Sequence, residues 1–239
     1  MTERDGAHAP PGEVTTRLVL VRHGQALDVD GRCIGHTDVP LSPEGAAAIR
    51  QLVARRTGSP SIGGGETAFV FSSDLARARE SARLVAEAIG VGVTTDARLR
   101  EMNFGEWDGR RWSDVEAADG VRLHSWMERW TEASTPQGET LGDVARRAAA
   151  WLAQHIMAPA GERRTVVVAH AGWIRAAVSQ LTGQSLAKIF DIPIDHAHAT
   201  IIDVGASGNH LIASNVDHFG DLSRSFQGDP ELSVLPQPL

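Results

Sequence analysis

Short runs of apolar residues alternate along this chain with longer stretches that mix alanine and charged residues. Residues 18–21, 68–71 and 165–169 are almost continuously apolar, which is typical of strands buried on both faces of a parallel sheet. The stretches between them carry helix signals, such as Ser42-Pro43 at one start and Gly90 at one end. The predicted helices cover residues 43–56, 74–89, 141–157 and 172–181.

The remaining segments have weaker patterns. Residues 91–99 are weakly extended, and residues 112–133 predict one or two short helices that carry several tryptophans. Residues 200–204 and 211–215 flank a Gly-containing loop, as the two strands of a hairpin do. Strands alternating with helices predict an α/β fold, a three-layer αβα sandwich whose central sheet is mostly parallel.

One domain accounts for the predicted core, because the chain shows neither an internal repeat nor a linker between its elements. We expect this domain to span residues 17–227. Residues 1–16 are polar and interrupted by Pro and Gly, and they predict a flexible N-terminal tail. Residues 228–239 are rich in proline and predict a loose C-terminal tail.

Composition and charge narrow the function classes. Apolar residues make up 42% of the chain, but no apolar run approaches the roughly 18 residues of a membrane span. A net charge of −7 argues against nucleic-acid binding, although a few clustered arginines can still bind a small anion. The single cysteine, Cys33, excludes an internal disulfide, and we interpret it as a packing residue. With no signal-peptide pattern at the start, a cytoplasmic protein is the default expectation.

Two predicted strands end in a histidine followed closely by glycine. His23 and Gly24 follow the first buried strand, and His170 follows the strand at residues 165–169, just before a helix. Open α/β sheets place their sites beyond the carboxyl ends of strands, so both histidines are expected to face one crevice. The helix after His170 would also point its anion-attracting N-terminus there.

Phosphoryl transfer needs positive charge and positioning, and the residues near these strand ends supply both. Arg22 and Arg77 are planar donors that can grip phosphoryl oxygens. His23 suits a nucleophile and His170 a second donor to the same oxygens. Glu101, in a loop with apolar neighbours, suits a general acid and then a base. No metal or other cofactor is needed, because two arginines and two histidines supply the charge.

The order of these motifs resembles the histidine phosphatase (phosphoglycerate-mutase-like) superfamily, from residue 17 to about 215. Within it, the pattern is nearest to the phosphatase branch that includes α-ribazole phosphatase. The motifs are Arg22-His23-Gly24, the run from Gly31 to Gly45, Ser73-x-Leu75-x-Arg77-Ala78, Leu99-x-Glu101 with Phe104-Gly105-x-Trp107-x-Gly109, Pro136-x-Gly138-Glu139-Thr140, and His170-Ala171-Gly172-x-Ile174-Arg175.

The resemblance implies a phosphoric monoester hydrolase that acts on a small phosphorylated metabolite. His23 would be phosphorylated, Arg22, Arg77 and His170 would form the phosphate pocket, and Glu101 would donate the proton. We expect further contacts to substrate or phosphate from Gly24, Gln25, Arg32, Ala171 and Trp107, with Trp107 facing the cleft. Family analogy also suggests a homodimer.

The chain departs from the family pattern at the pocket mouth. Gln25-Ala26 stands where the family often has Glu-Thr or Glu-Ser, and the following loop is about one residue shorter. We expect these changes to affect substrate contacts rather than chemistry.

Three alternatives stay open at this point. A mutase would transfer phosphate within a phosphosugar acid, although the segment between Glu101 and His170 is short for the mutase branch. A non-catalytic phosphoester-binding protein would use the same fold. His196-x-His198 has a spacing that can bind a metal, but no Cys-rich or carboxylate-rich set accompanies it, which favours a structural role.

Overall fold

A computed structural model describes residues 16–55, 67–157 and 163–219 of the chain. The C-terminal tail at 228–239 and the Gly/Ser-rich segment at 59–65 lie outside these residues, as does the predicted N-terminal tail up to residue 15. Thr16, the last residue assigned to that tail, instead begins the first strand, because it pairs with Arg163 and Val204 on the neighbouring strands. The single-domain boundary at 17–227 stays a prediction.

Six strands form one sheet in the order β3-β2-β4-β1-β5-β6, and only β5 runs antiparallel to the others. The strands are β1 (Thr16–Arg22), β2 (Thr67–Ser72), β3 (Val93–Thr95), β4 (Arg163–Ala169), β5 (Ala199–Gly205) and β6 (Gly208–Val216). The predicted mostly parallel sheet is therefore confirmed, and the last two strands form the predicted hairpin.

The helices cover both faces of this sheet. They are α1 (Pro43–Ala54), α2 (Ala76–Ile89), α3 (Trp112–Glu128), α4 (Leu141–Leu152) and α5 (Ala171–Thr182). Alternate residues of β1 divide between two cores: Leu18 and Leu20 pack with α4 and α5, whereas Val19 and Val21 pack with α1 and α2. This division makes the three-layer αβα sandwich. Because both faces of β1 are buried, its residues 18–21 are all apolar.

Helices α2, α3 and α4 differ in detail from the prediction. The α-helical part of α4 ends at Leu152 and is followed by a π-helical segment at Ala153–Met157. The N-cap of α2 is Leu75 rather than Ser73 or Asp74, because the Asp74 carboxylate accepts hydrogen bonds from Arg100 (2.7 and 2.6 Å) instead of capping the helix. The predicted helical region at 112–133 forms α3, which is kinked at Asp119 and ends at Glu128. None of the helices in the described ranges is long and apolar enough to cross a membrane.

Candidate active site

The two motif histidines meet where the parallel strands β1 and β4 end. Arg22 pairs with Ala169 in the register, so the residue that follows each strand emerges at the same edge of the sheet. The ring centroids of His23 and His170 are 4.9 Å apart in an edge-to-face arrangement. Both side chains are buried, His170 completely.

Hydrogen bonding fixes the tautomer of His23. Its Nδ1 lies 2.6 Å from the Gly24 carbonyl oxygen, so Nδ1 is the atom that carries hydrogen and donates. Nε2 is left with its lone pair and accepts from Nε of Arg77 at 3.2 Å. Burial, together with the positive charges of Arg77 and Arg22, holds the pKa of His23 well below its usual value. The ring is therefore a neutral imidazole whose lone pair is on Nε2, the atom that faces Arg77.

Arg77 connects α2 to the loop that faces His23. The side chain is 1% exposed, and its two terminal nitrogens donate to the carbonyl oxygens of Gly35 (2.7 Å) and Thr37 (3.0 Å). That loop is itself fixed by Asp108, whose carboxylate accepts backbone N–H groups from residues 35, 36 and 37. Asp108 thus orders the loop to which Arg77 binds.

Arg22 is the last residue of β1 and directly precedes His23. It donates from one terminal nitrogen to the Ile194 carbonyl oxygen (2.7 Å) and from the other to Nε2 of His196 (2.8 Å). Its buried Nε has no hydrogen-bond partner within the described part of the chain, and neither ring nitrogen of His170 has one there. Buried polar groups are normally paired, so this cluster is suited to an anion that supplies the missing acceptors.

Glu101 reaches the site from the loop after β3. Its carboxylate accepts the backbone N–H of Met102 (2.9 Å) and that of Gly172 (3.1 Å to each oxygen). Gly172 is the second residue of α5, so the carboxylate lies at the N-terminal end of that helix. A Cβ atom at position 172 would approach Oε1 of Glu101 to 2.3 Å, and glycine there leaves room for the carboxylate.

Arg147 of α4 supports the Glu101 loop from behind. It donates to the main-chain carbonyl oxygens of Arg98 (2.8 Å), Arg100 (2.5 Å) and Glu101 (2.9 Å), and it forms an ion pair with Glu139. Glu139 also accepts the backbone N–H of Asn103. The Pro136-x-Gly138-Glu139-Thr140 motif therefore helps to hold the loop that carries Glu101, and no short-range sequence signal points to Arg147.

A cleft of about 280 Å³ lies at this edge of the sheet, and the fully buried His170 is not among the residues that line it. Gln25 and Arg32, both expected near substrate, line its mouth, and Arg32 also donates to the Gly109 carbonyl oxygen. The residues that line the cleft are Arg22, His23, Gln25, Ala26, Val29, Asp30, Gly31, Arg32, Ile34, Arg77, Glu101 and His196.

Trp107 does not face the cleft, and this prediction was wrong. The side chain is 1% exposed and packs with Cys33, Val115 and Leu123, while its indole N–H donates to Asp119 (3.1 Å). The loop needs a large buried side chain at this position, and the indole fills a small core beneath α3. Cys33 lies in the same core, where burial raises the pKa of its thiol.

Gly24 and Ala171 were expected to contact substrate or phosphate, but neither is among the residues that line the cleft. The Gly24 N–H donates to Oγ of Ser81 (3.1 Å), and a Cβ at position 24 would lie 2.4 Å from the Gly45 carbonyl oxygen. Glycine is thus required there by close packing against α1. Ala171 is the first residue of α5 and lies outside the residues that line the cleft.

His196 lines the cleft, although the sequence pattern favoured a structural role for it. It precedes β5, and its ring centroid lies 5.3 Å from that of His23. His198 does not join it at the cleft as a ligand pair, because Nδ1 of His198 bonds to the His196 carbonyl oxygen (3.0 Å). Within the described ranges no three His, Cys, Asp or Glu side chains are grouped to hold a metal ion.

Known proteins share both the sequence pattern and the fold. The family model of the histidine phosphatase superfamily (branch 1) matches residues 18–217. A candidate phosphoserine phosphatase from Hydrogenobacter thermophilus is 30% identical over 201 residues, which cover 83% of this chain and 95% of the relative. A 2,3-bisphosphoglycerate-dependent phosphoglycerate mutase from Gloeobacter violaceus is 32% identical over 196 residues, with coverages of 80% and 87%.

A solved structure extends the likeness to three dimensions. The α-ribazole phosphatase from Shigella flexneri superposes with a TM-score of 0.73 at 26% identity, covering 85% of this chain and 98% of that one. The family model matches most of the chain, and the strands that precede His23 and His170 pair in parallel. This chain therefore belongs to the histidine phosphatase superfamily.

Proposed function

We propose that this chain is a metal-independent phosphomonoesterase that hydrolyses a small phosphorylated metabolite through a phosphohistidine on His23. The observation that carries the proposal is the state of His23: its Nδ1 donates to a main-chain carbonyl oxygen, its Nε2 accepts from Arg77, and the charges of Arg77 and Arg22 help to keep the ring neutral. A neutral imidazole in a positive pocket is suited to attack a phosphate ester in line with the leaving oxygen.

In the first step, Nε2 of His23 forms a bond to phosphorus while the bond from phosphorus to the ester oxygen breaks. Glu101 gives its proton to that oxygen, so the leaving group departs as an alcohol. Arg22, Arg77 and His170 bind the equatorial oxygens, where charge accumulates in the transition state. The proton stays on Nδ1, from which it donates a hydrogen bond to the Gly24 carbonyl oxygen and stabilises the phosphorylated ring.

In the second step, water attacks phosphorus and passes a proton to Glu101, and the phosphorus–nitrogen bond breaks. Inorganic phosphate leaves, neutral His23 is restored, and Glu101 is again protonated. The two steps balance without a metal or redox cofactor. Glu101 needs to reach both the leaving oxygen and the water, and its position at the cleft beside the N-terminus of α5 supports this double role.

A mutase is the second candidate, because a phosphoglycerate mutase is among the similar proteins. We would incubate the protein with p-nitrophenyl phosphate and, separately, with 3-phosphoglycerate, and measure free phosphate and positional isomers. Phosphate release from either substrate without isomerisation supports the hydrolase. Isomerisation that needs priming by a bisphosphate and releases no phosphate supports the mutase, and phosphoester binding without either reaction supports a binding protein.

Glu101→Gln is expected to slow substrates with poor leaving groups most. Glutamine can still accept from the Gly172 N–H but cannot give a proton, and general acid catalysis is typically worth about 10²–10⁴-fold. We expect kcat/KM for an alkyl phosphate to fall by about 10³-fold, and that for p-nitrophenyl phosphate by less than about tenfold. Equal losses would contradict the role of proton donor. Glu106→Gln, an exposed carboxylate on the same loop, is the matched control.

Gly172→Ala is expected to displace the Glu101 carboxylate without unfolding the protein. The new methyl group would meet the far end of a flexible side chain at 2.3 Å, and alanine is otherwise favoured inside a helix. Because misplacing a catalytic group by about 1 Å can cost about 10²-fold, we expect kcat to fall by up to that factor while the melting temperature is unchanged or higher. Gly142→Ala at the equivalent second position of α4, where Cβ meets nothing closer than 3.4 Å, is the control. An unchanged kcat for Gly172→Ala would show that the Glu101 position tolerates the methyl group.

The cleft indicates a small substrate. Arg32 lines the cleft together with Gln25, Asp30 and the apolar side chains of Val29 and Ile34, so a leaving group with a second polar group within reach of Arg32 is a candidate. A cytoplasmic location and a homodimer belong to the same proposal, as expectations from sequence and family.

A further inference from the structure

We propose that His196 is a positioning residue that holds the Arg22 guanidinium in the orientation that binds the phosphoryl group. The inference rests on the proposed function, since it treats Arg22 as a ligand of that group. His196 lies outside the family motifs named above, and its contacts in the fold support this role.

The turn that carries His196 is attached to the end of β1. Ala197 adopts a left-handed backbone conformation with φ of 55°, which residues other than glycine seldom adopt. Its N–H points to the carbonyl oxygens of Arg22 (3.1 Å) and His23 (3.3 Å), and the Arg22 N–H donates to the His198 carbonyl oxygen (3.1 Å). The turn and the nucleophile are therefore fixed to each other through three main-chain contacts.

The ring of His196 points from this turn to Arg22 and the cleft. Nε2 lies 2.8 Å from a terminal nitrogen of Arg22, and because a guanidinium only donates, Nε2 must be the acceptor. That arrangement requires an unprotonated Nε2. Burial and the charge of Arg22 lower the pKa of His196 to about 4, so the ring is neutral at physiological pH.

Two acceptors therefore set the plane of the Arg22 guanidinium. The Ile194 carbonyl oxygen binds one terminal nitrogen and His196 binds the other, while the buried Nε is unpaired within the described residues. Bidentate recognition of phosphate depends on the orientation of this plane as well as on its charge. Without the His196 side chain, the guanidinium keeps its charge. Only the hydrogen bond to the Ile194 carbonyl oxygen then orients it, so its plane can rotate.

The length of the side chain at position 196 gives a sharp test. A glutamine carbonyl reaches about as far from Cα as Nε2 of histidine does, whereas an asparagine carbonyl falls short by one methylene. We would make His196→Ala, His196→Asn and His196→Gln, with His210→Ala as a control, since His210 is an exposed histidine on β6. Inorganic phosphate binding would be measured by calorimetry, and kcat and KM with p-nitrophenyl phosphate.

We expect His196→Ala and His196→Asn to weaken phosphate binding and to lower kcat/KM by about tenfold or more, since each loses a hydrogen bond to a charged group. His196→Gln is expected to stay within about threefold of the parent protein on both measures, and His210→Ala to match it. Melting temperatures establish that the compared proteins are folded.

The failures of the two proposals can be told apart. If the parent protein turns over substrate while all three His196 variants match it, or while Gln loses as much as Ala, the positioning role is wrong and the hydrolase stands. If the parent binds phosphate without turnover and the variants still rank Gln above Asn and Ala in affinity, the positioning role stands and the hydrolase fails.

Discussion

His23→Ala is expected to lower the rate of phosphate release by about 10⁵-fold, in line with the loss of a covalent nucleophile in other enzymes. The remaining groups could still bind phosphate, because Arg22 and His170 would keep their positions at the strand ends and Arg77 would stay bound to the 35–37 loop. We therefore expect phosphate affinity to change far less than kcat. Reactions would be quenched in alkali during turnover, and the denatured protein would be examined by ³¹P NMR. We expect a phosphohistidine signal from the parent protein and none from the variant.

The control for His23→Ala is His124→Ala, which removes an exposed histidine of α3 and should leave turnover unchanged. A His23→Ala protein that retains a tenth of the parent's kcat, or that still carries acid-labile phosphate, would mean that another side chain is the nucleophile. Because the pKa of His23 is lowered by burial and by Arg77, its protonation should not limit kcat/KM between pH 6 and 8. In that range any acid limb has to come from another group or from the substrate.

The main elements of the fold follow from the apolar runs. β1 and β4 are buried on both faces, so their apolar residues are continuous and can be recognised without knowing their partners. Their positions also placed His23 and His170 at one edge, because neighbouring parallel strands end together. Their context after a strand and in a loop made Arg77 and Glu101 candidates, but an isolated arginine or carboxylate carries little local signal, so the resemblance to a known family strengthened both assignments.

Features that depend on contacts between distant segments of the chain could not be predicted from local sequence patterns. Trp107 belongs to a motif, yet whether it faces the cleft or the core is decided by α3, which closes over it. His196 becomes a cleft residue only because Ala197 turns the chain back to β1. Arg147 acts through three main-chain carbonyl oxygens that belong to another segment of the chain. Local pattern does not encode such pairings.

Arg77→Ala is expected to reduce both stability and catalysis. The guanidinium is 1% exposed, and its removal leaves a cavity and two main-chain carbonyl oxygens, those of Gly35 and Thr37, without their donors. Losing such buried partners costs about 3 kcal/mol in free energy of unfolding. It also removes a positive group beside the attacking Nε2, so we expect kcat/KM to fall by about 10³-fold.

Comparison with two further variants separates these effects. Arg83→Ala removes an exposed arginine from the same helix and should change the free energy of unfolding by less than about 0.5 kcal/mol. Arg77→Lys keeps a positive charge but cannot reach Gly35, Thr37 and His23 together, so it should recover part of the stability and little of kcat/KM. Urea unfolding and activity would be measured where circular dichroism shows each protein folded. If folded Arg77→Ala turned over substrate like the parent, Arg77 would be a tether for the 35–37 loop alone, and the phosphoryl charge would have to be met by Arg22 and His170.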